Sequence, residues 1–187
     1  MHSTRMVIAA SALAASAGLL PGALWVQDKI SSVVEIAGPG EPGARLTISG
    51  VVRDKRGLAV PGAALHLYQT DATGRYTTEK PMDEPHARLN GRLRADTAGR
   101  FEIHTIRPGG YPKAVHLGDR DRHIPAHIHM DVTIPGKPER KFQVVFADDS
   151  LLSDPYWIAW VRTQRQPVLT VRPAAEGLAG ALILTLD

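Results

Sequence analysis

The chain contains no cysteine. That single absence excludes disulfides, thiolate metal sites and a cysteine nucleophile. Aromatic residues make up only 5% of the sequence, and none is interleaved with a basic stripe. The net charge of +3 and the pI near 9.4 come from scattered residues such as Arg53, Lys55, Arg56, Arg92, Arg94, Arg140 and Lys141, many alternating with acids. Nucleic acid is therefore a poor partner. There is no internal repeat and no phosphate loop. The glycine- and proline-rich "EIAGPGEPGAR" (residues 35–45) lacks a Lys-Ser/Thr ending and a following helix. What remains is 187 residues with a 43% hydrophobic fraction, enough for one folded domain and too apolar for wholesale disorder.

The chain begins with "MHSTR", a short polar start carrying one firm positive charge, and continues with the apolar or small run "MVIAASALAASAGLL". Small residues close that run. This is the layout of a secretory signal peptide over residues 1–26, which implies export to the periplasm or the exterior. The alternative is an uncleaved membrane anchor, since Met6 to Val26 nearly reaches spanning length. High alanine and glycine content and the interrupting Pro21 weigh against it. Residues 27–44 read as a linker, and residues 45–187 as the folded domain.

From Arg45 onward the pattern is β. "RLTISGVV", "GAALHLYQT", "GRLRAD", "RFEIHTI", "AHIHMDVTI", "KFQVVFA", "PVLTVRP" and "ALILTLD" are short strand-like runs punctuated by Gly, Pro and Asp. "GRLRAD" and "RFEIHTI" read as a hairpin closed by "TAG". Such spacing predicts an all-β antiparallel sandwich or barrel with few or no long helices. "DPYWIAWVRTQ" (154–164) is the helical candidate of any length.

Most histidines have bland readings. His66 and His104 lie in strand patterns, and His86, His116 and His123 lie in polar loops. His127 and His129 differ, because residues two apart on a strand share a face. Taken alone, this pair is evenly open between a metal pair and hydrogen-bonded sheet histidines. Tyr76 and Tyr111 each follow a glycine-marked turn, "DATGRY" and "RPGGYP". Taken singly, each reads as a turn tyrosine with its hydroxyl in water.

Together the motifs say more. "ISGVVRDKRGLAVPGAALHLYQTDATGRY", "GRLRADTAGRFEIHTIRPGGYP", "PAHIHMDV" and "FQVVFADD" resemble, in order, the intradiol ring-cleavage dioxygenases, the family of the catechol and protocatechuate dioxygenases. The resemblance runs from about Leu46 to Asp149. It implies a β-sandwich catalytic domain over residues 45–187. It also implies a mononuclear non-haem Fe(3+) held by Tyr76, Tyr111, His127 and His129, with Gln143 near the substrate. The expected activity is insertion of both atoms of O2 between the two hydroxyl-bearing carbons of a catechol-type ring, giving a muconate-type diacid. Tyr111 would serve as the base toward the substrate. Phenolate suits a hard ferric ion, and two tyrosinates with one hydroxide cancel its charge, avoiding a buried uncompensated ion.

Departures from the family pattern are equally specific. An arginine usually precedes "PAHIH", where it steadies charge on the substrate ring; here the residue is Ile124, which removes the charge and every donor. Arg122, roughly 6–7 Å upstream on an extended chain, is the candidate to replace it. The competing reading leaves Arg120 and Arg122 in a solvated loop with Asp119 and Asp121. Lys113 stands where an aromatic contact is common, and there is no room for the helical dimerisation segment of the catechol enzymes, although a homo-oligomer is compatible. Two other readings stay open. One is a non-catalytic transthyretin-like or regulatory-type β-sandwich binding module, which the opening strand pattern also resembles. The other is an iron-binding relative with chemistry altered by Ile124.

Overall fold

The computed structural model describes residues 31–80, 82–113 and 122–186, without the side chains of Lys113 and Arg122. The signal-peptide reading of residues 1–26, and His116, Asp119, Arg120 and Asp121, lie outside the described residues. Within them, period-two alternation sets the architecture. β2 (Arg45–Asp54) buries Leu46, Ile48 and Val52; β5 (Arg100–Ile106) buries Phe101, Ile103 and Thr105; β12 (Gly177–Leu186) buries Leu182, Leu184 and Leu186. With β1 (Val33–Glu35) and β11 (Val171–Ala174) they form a five-stranded sheet in the order β1-β5-β2-β12-β11.

A second five-stranded sheet packs against it. It comprises β3 (Ala64–Gln69), β4 (Leu89–Arg94), β8 (His127–Thr133), β9 (Arg140–Phe146) and β10 (Val168–Leu169), ordered β10-β9-β8-β3-β4. Leu65, Leu67, Ile128, Met130, Val144 and Phe146 form its inner face. β6 (Tyr111–Lys113) and β7 (Arg122–Ile124) make a small separate ribbon. The expected sandwich is thus observed. Most pairings are antiparallel, but β1 on β5, β12 on β2 and β10 on β9 run parallel. Gln69 ties the two sheets at one end. Its amide donates to the carbonyl of Ile106 at 3.0 Å, and it accepts from Thr105 Oγ1 at 2.9 Å.

Two sequence expectations change. β4 and β5 are not a hairpin: β4 pairs with β3 and β5 with β2, in different sheets. The turn between them is a corner of the sandwich, closed by Asp96 Oδ1 accepting from the amides of Ala98 and Arg100, each at 2.8 Å. The segment read as a linker contains β1, and Glu41 within it accepts two 2.6 Å bonds from Arg88. Charge-assisted pairing of that kind is strong, and it holds the Glu41 carboxyl below the ordinary carboxylate range.

The helix is α1 (Pro155–Thr163), one residue shorter at each end than the sequence pattern. Asp154 caps it by accepting from Tyr156 N at 2.8 Å, and Pro155 occupies the first turn. Among the described residues no helix is long and apolar enough to cross a membrane.

Adjacent residues of β12 test the alternation. Leu184 is fully buried, whereas Ile183 is 56% exposed. Leu184→Ala is expected to lower the free energy of unfolding by about 2–5 kcal/mol. Ile183→Ala should change it by less than about 1 kcal/mol, both read from urea midpoints.

Candidate metal centre

In β8 the inward residues Ile128, Met130 and Val132 fill the core, so His127, His129 and Asp131 point to the outer face of the second sheet. They are nevertheless buried, at 4%, 6% and 8% exposure. Something covers them. Over the two histidines the cover is two turns, one after β3 and one after β5, that carry Tyr76 and Tyr111 across the outer face.

Glycine lets those turns meet backbone to backbone. Asp71 organises the first, its Oδ1 accepting from the amides of Thr73 at 2.8 Å and Arg75 at 3.1 Å. Gly74 has φ +82°, and a Cβ there would lie 2.4 Å from the carbonyl oxygen of Gly110. A Cβ on Gly109 would lie 2.6 Å from the carbonyl oxygen of Ala72. The amide of Gly109 donates to the Asp71 carbonyl at 2.8 Å, and Thr70 Oγ1 donates to the Gly109 carbonyl at 2.8 Å. No larger residue permits this approach.

The result is a tight quartet. Tyr76 Oη lies 3.3 Å from Tyr111 Oη and 3.1 Å from His129 Nε2, and His127 Nε2 lies 3.0 Å from His129 Nε2. His127 Nδ1 donates to the carbonyl of Pro125 at 2.8 Å, which turns its Nε2 lone pair toward the centre. Asp149 fixes the approach to β8, its Oδ2 accepting from Ala126 N at 2.8 Å. Tyr68 stacks on the His129 ring, with centroids 4.3 Å apart and planes 7° apart.

Does this donor set fit a metal ion? Donors bound at about 2 Å and 90–110° apart around a first-row metal lie roughly 2.8–3.4 Å from one another. The three observed separations, 3.0, 3.1 and 3.3 Å, fall in that range. Among the described residues no three His, Asp or Glu side chains are placed to hold a metal, so the phenols are indispensable to it. Burial pushes both phenols above their ordinary range, Tyr76 further through its contact with Tyr111. A trivalent cation is the agent that reverses such a shift.

A cavity of about 190 Å³ opens beside the quartet, lined by Glu84, Tyr111, Ile124, His129, Gln143 and Trp157 among others. Gln143 sits opposite His129 in the β8–β9 register, and Ile124 sits opposite Tyr111 in the ribbon. Both sequence-flagged positions are therefore at the site. Arg122 pairs with Lys113 along the backbone, and the side chains of both lie outside the described residues. His66 and His104 are half-buried and His86 and His123 exposed. Sequence reading missed Glu84, whose carboxylate lies 3.7 Å from His129 Nε2 and accepts from the Tyr68 hydroxyl at 3.3 Å. It also missed Trp157 and Trp160, although their spacing in a recognised helix placed them on one face.

Two outcomes follow from this geometry. In the metal-free protein, alkaline titration followed by ultraviolet absorbance should leave Tyr76 and Tyr111 protonated well above the ordinary value of about 10. The native state then keeps protons that the unfolded chain sheds, so stability should fall as pH rises past about 10, seen as a lower urea midpoint. Gly109→Ala should separate the two turns and reduce metal uptake at least about tenfold by elemental analysis.

Comparison with known proteins agrees with the geometry. A family profile described as "Dioxygenase" matches residues 26–182. Chlorocatechol 1,2-dioxygenase of Rhodococcus opacus is 33% identical over 121 residues, covering 60% of this chain and 47% of the relative. The protocatechuate 3,4-dioxygenase beta chain of Burkholderia cepacia is 34% identical over 99 residues, 50% of this chain and 40% of the relative. The chain thus spans about half or less of the length of these curated relatives. Among solved structures, the dioxygenase domain of a dioxygenase–carbohydrate-binding fusion from Streptomyces sp. SirexAA-E superposes with a TM-score of 0.63 at 25% identity, covering 82% of this chain and 86% of that one. Catechol 1,2-dioxygenase from Pseudomonas arvilla C-1 gives 0.65 at 20% identity, covering 83% and 56%. The chain belongs to the intradiol ring-cleavage dioxygenase family.

Proposed function

We propose that this chain holds ferric iron through Tyr76, Tyr111, His127 and His129 and cleaves a catechol-type ring between its two hydroxyl-bearing carbons. Both atoms of O2 enter the product, a muconate-type diacid. The observation that carries the reading is the convergence of two phenols and two imidazoles, 3.0–3.3 Å apart, on a buried face. Ferric iron, when bound, supplies the Lewis acidity that draws electron density from a catecholate and makes its ring carbon reactive toward O2.

The chain's own residues do the rest. Tyr111 lines the cavity, which supports its phenolate oxygen as the base toward the substrate. Tyr76 lies deeper, at 1% exposure, and with His127 and His129 it acts as an anchor. Gln143 presents an amide to the ring, and Ile124 and Trp157 keep water from it. Arg122 is retained as the candidate for steadying charge on the substrate. Residues 1–26 are read as the leader that exports the enzyme. A second reading is an iron protein with altered chemistry, favoured by Ile124 standing opposite Tyr111. A non-catalytic binding module gives no reason for the quartet.

Purified, iron-loaded protein should be reddish-brown from tyrosinate-to-iron charge transfer. Tyr76→Phe and Tyr111→Phe should each change that absorption, and a colourless wild type after reconstitution would sink the reading. Tyr111→Phe is expected to lower kcat for catechol about 100-fold or more, the range for loss of a proton-transfer group, measured by oxygen uptake. If the wild type consumes no oxygen with catechols and Ile124→Arg does, the altered-chemistry reading replaces the first.

A further inference from the structure

The cavity beside the quartet is small and asymmetric in charge. Its volume, about 190 Å³, is below the roughly 300 Å³ at which drug-sized pockets begin, so it accommodates a single ring. Three of its walls are the aromatic side chains of Tyr156, Trp157 and Trp160, and Ile124 supplies an aliphatic one. Among the described residues lining it, the only charge of fixed sign is the carboxylate of Glu84. That carboxylate is 3.7 Å from His129 Nε2.

Glu84 also lines a second, larger cleft of about 580 Å³ on the same outer face, with His66, Tyr68, Asn90, Arg92 and Asp131. The two spaces therefore adjoin at this residue. Asp131 is 92% buried, complementing its 8% exposure, and its Oδ1 has no hydrogen-bond partner among the described residues. Its other oxygen lies 3.9 Å from Lys141 Nζ. The cleft lining holds two carboxylates, Glu84 and Asp131, with Arg92, His66 and His86. A buried, unsatisfied carboxylate oxygen is costly unless a donor arrives. The path from the ring site past Glu84 thus runs toward acceptors.

We infer that Glu84 determines specificity, selecting catechols whose ring substituent is uncharged or amine-bearing and rejecting those with a ring carboxylate. This rests on the ring-cleavage reading of the same site. An ammonium on a short arm would be drawn toward Glu84 and the cleft it shares with Asp131, whereas a ring carboxylate would meet Glu84 as a like charge. A unit charge roughly 6 Å away, at an effective dielectric of about 40 for this half-exposed setting, changes binding about tenfold.

Quenching of Trp157 and Trp160 fluorescence in the metal-free full chain, and oxygen uptake by the iron-loaded protein, test this with three probes. They are catechol, protocatechuate and an aminoethyl-substituted catechol. Wild type should bind the amine about a hundredfold more tightly than protocatechuate. Glu84→Gln should cut that ratio about a hundredfold, about tenfold from each probe's charge, and the control Glu176→Gln, on the exposed β11–β12 turn, should leave it unchanged. A wild type that prefers protocatechuate, or a ratio unmoved in Glu84→Gln, overturns the inference. If the binding ratio behaves as expected but none of the three probes is cleaved, the assignment of Glu84 stands and the ring-cleavage reading falls. Quenching by none of the three overturns the assignment as well.

Discussion

The site depends on one contact between two pieces of backbone. The turn at residues 71–74 and the turn at 107–110 touch through Gly74 and Gly109, with the Gly109 amide bonded to the Asp71 carbonyl. Each turn delivers one tyrosine. Without that contact the phenols would hang from independent loops, and their 3.3 Å separation would carry an ordering cost at every binding event. With it, the cost is met once, in folding. The strands beneath are the base on which the two turns rest. Gln69 fixes the end of β3 to β5 in the opposite sheet, so the strands that precede the two turns are themselves tied together.

The second constraint is electrostatic. β8 buries both of its faces, one in the apolar core and one under the tyrosines. Polar side chains on the second face lose water and must find compensation. His127 finds it in the Pro125 carbonyl and the neighbouring imidazole, and His129 in Tyr76 and the stacked ring of Tyr68. Two phenols forced upward in pKa by burial, beside two imidazoles, form an environment that a hard trivalent cation relieves. Under the proposed reading, metal affinity and burial are the same design feature.

Much of this was legible in the sequence because the relevant signals are local. Strand alternation follows from a period of two, and His127 with His129 share a face for the same reason. Tyr76 and Tyr111 sit at fixed offsets from glycine turns, and the order of motifs supplied their meaning. Partnering was less legible. β4, the turn and β5 have hairpin spelling, but strand pairing is decided by which edges remain open in each sheet, and both strands had better partners elsewhere. β1 was hidden because glycine and proline around it read as loop, while the bonds that hold the segment, such as Glu41 to Arg88, are distant in sequence. Glu84 lies in a short 3-10 turn with no period to announce it. Its place at the site is set by the path of the chain from Tyr76 to β4.

Ile124 then takes on a definite meaning. The ribbon register puts it opposite Tyr111, and it packs against the tyrosine cluster. At that position an apolar side chain lowers the local dielectric and offers no donor, so negative charge on a ring bound as proposed would find no partner in Ile124. Glu84, on another wall of the same cavity, adds negative potential. Among the described residues lining the cavity, Ile124 and Glu84 act in the same direction, since neither offers a positive charge to an anionic ring. A ring that carries its own positive or donor group restores the balance from the substrate side. Ile124 and the carboxylate at Glu84 are therefore coherent as a pair, in a way that neither is alone.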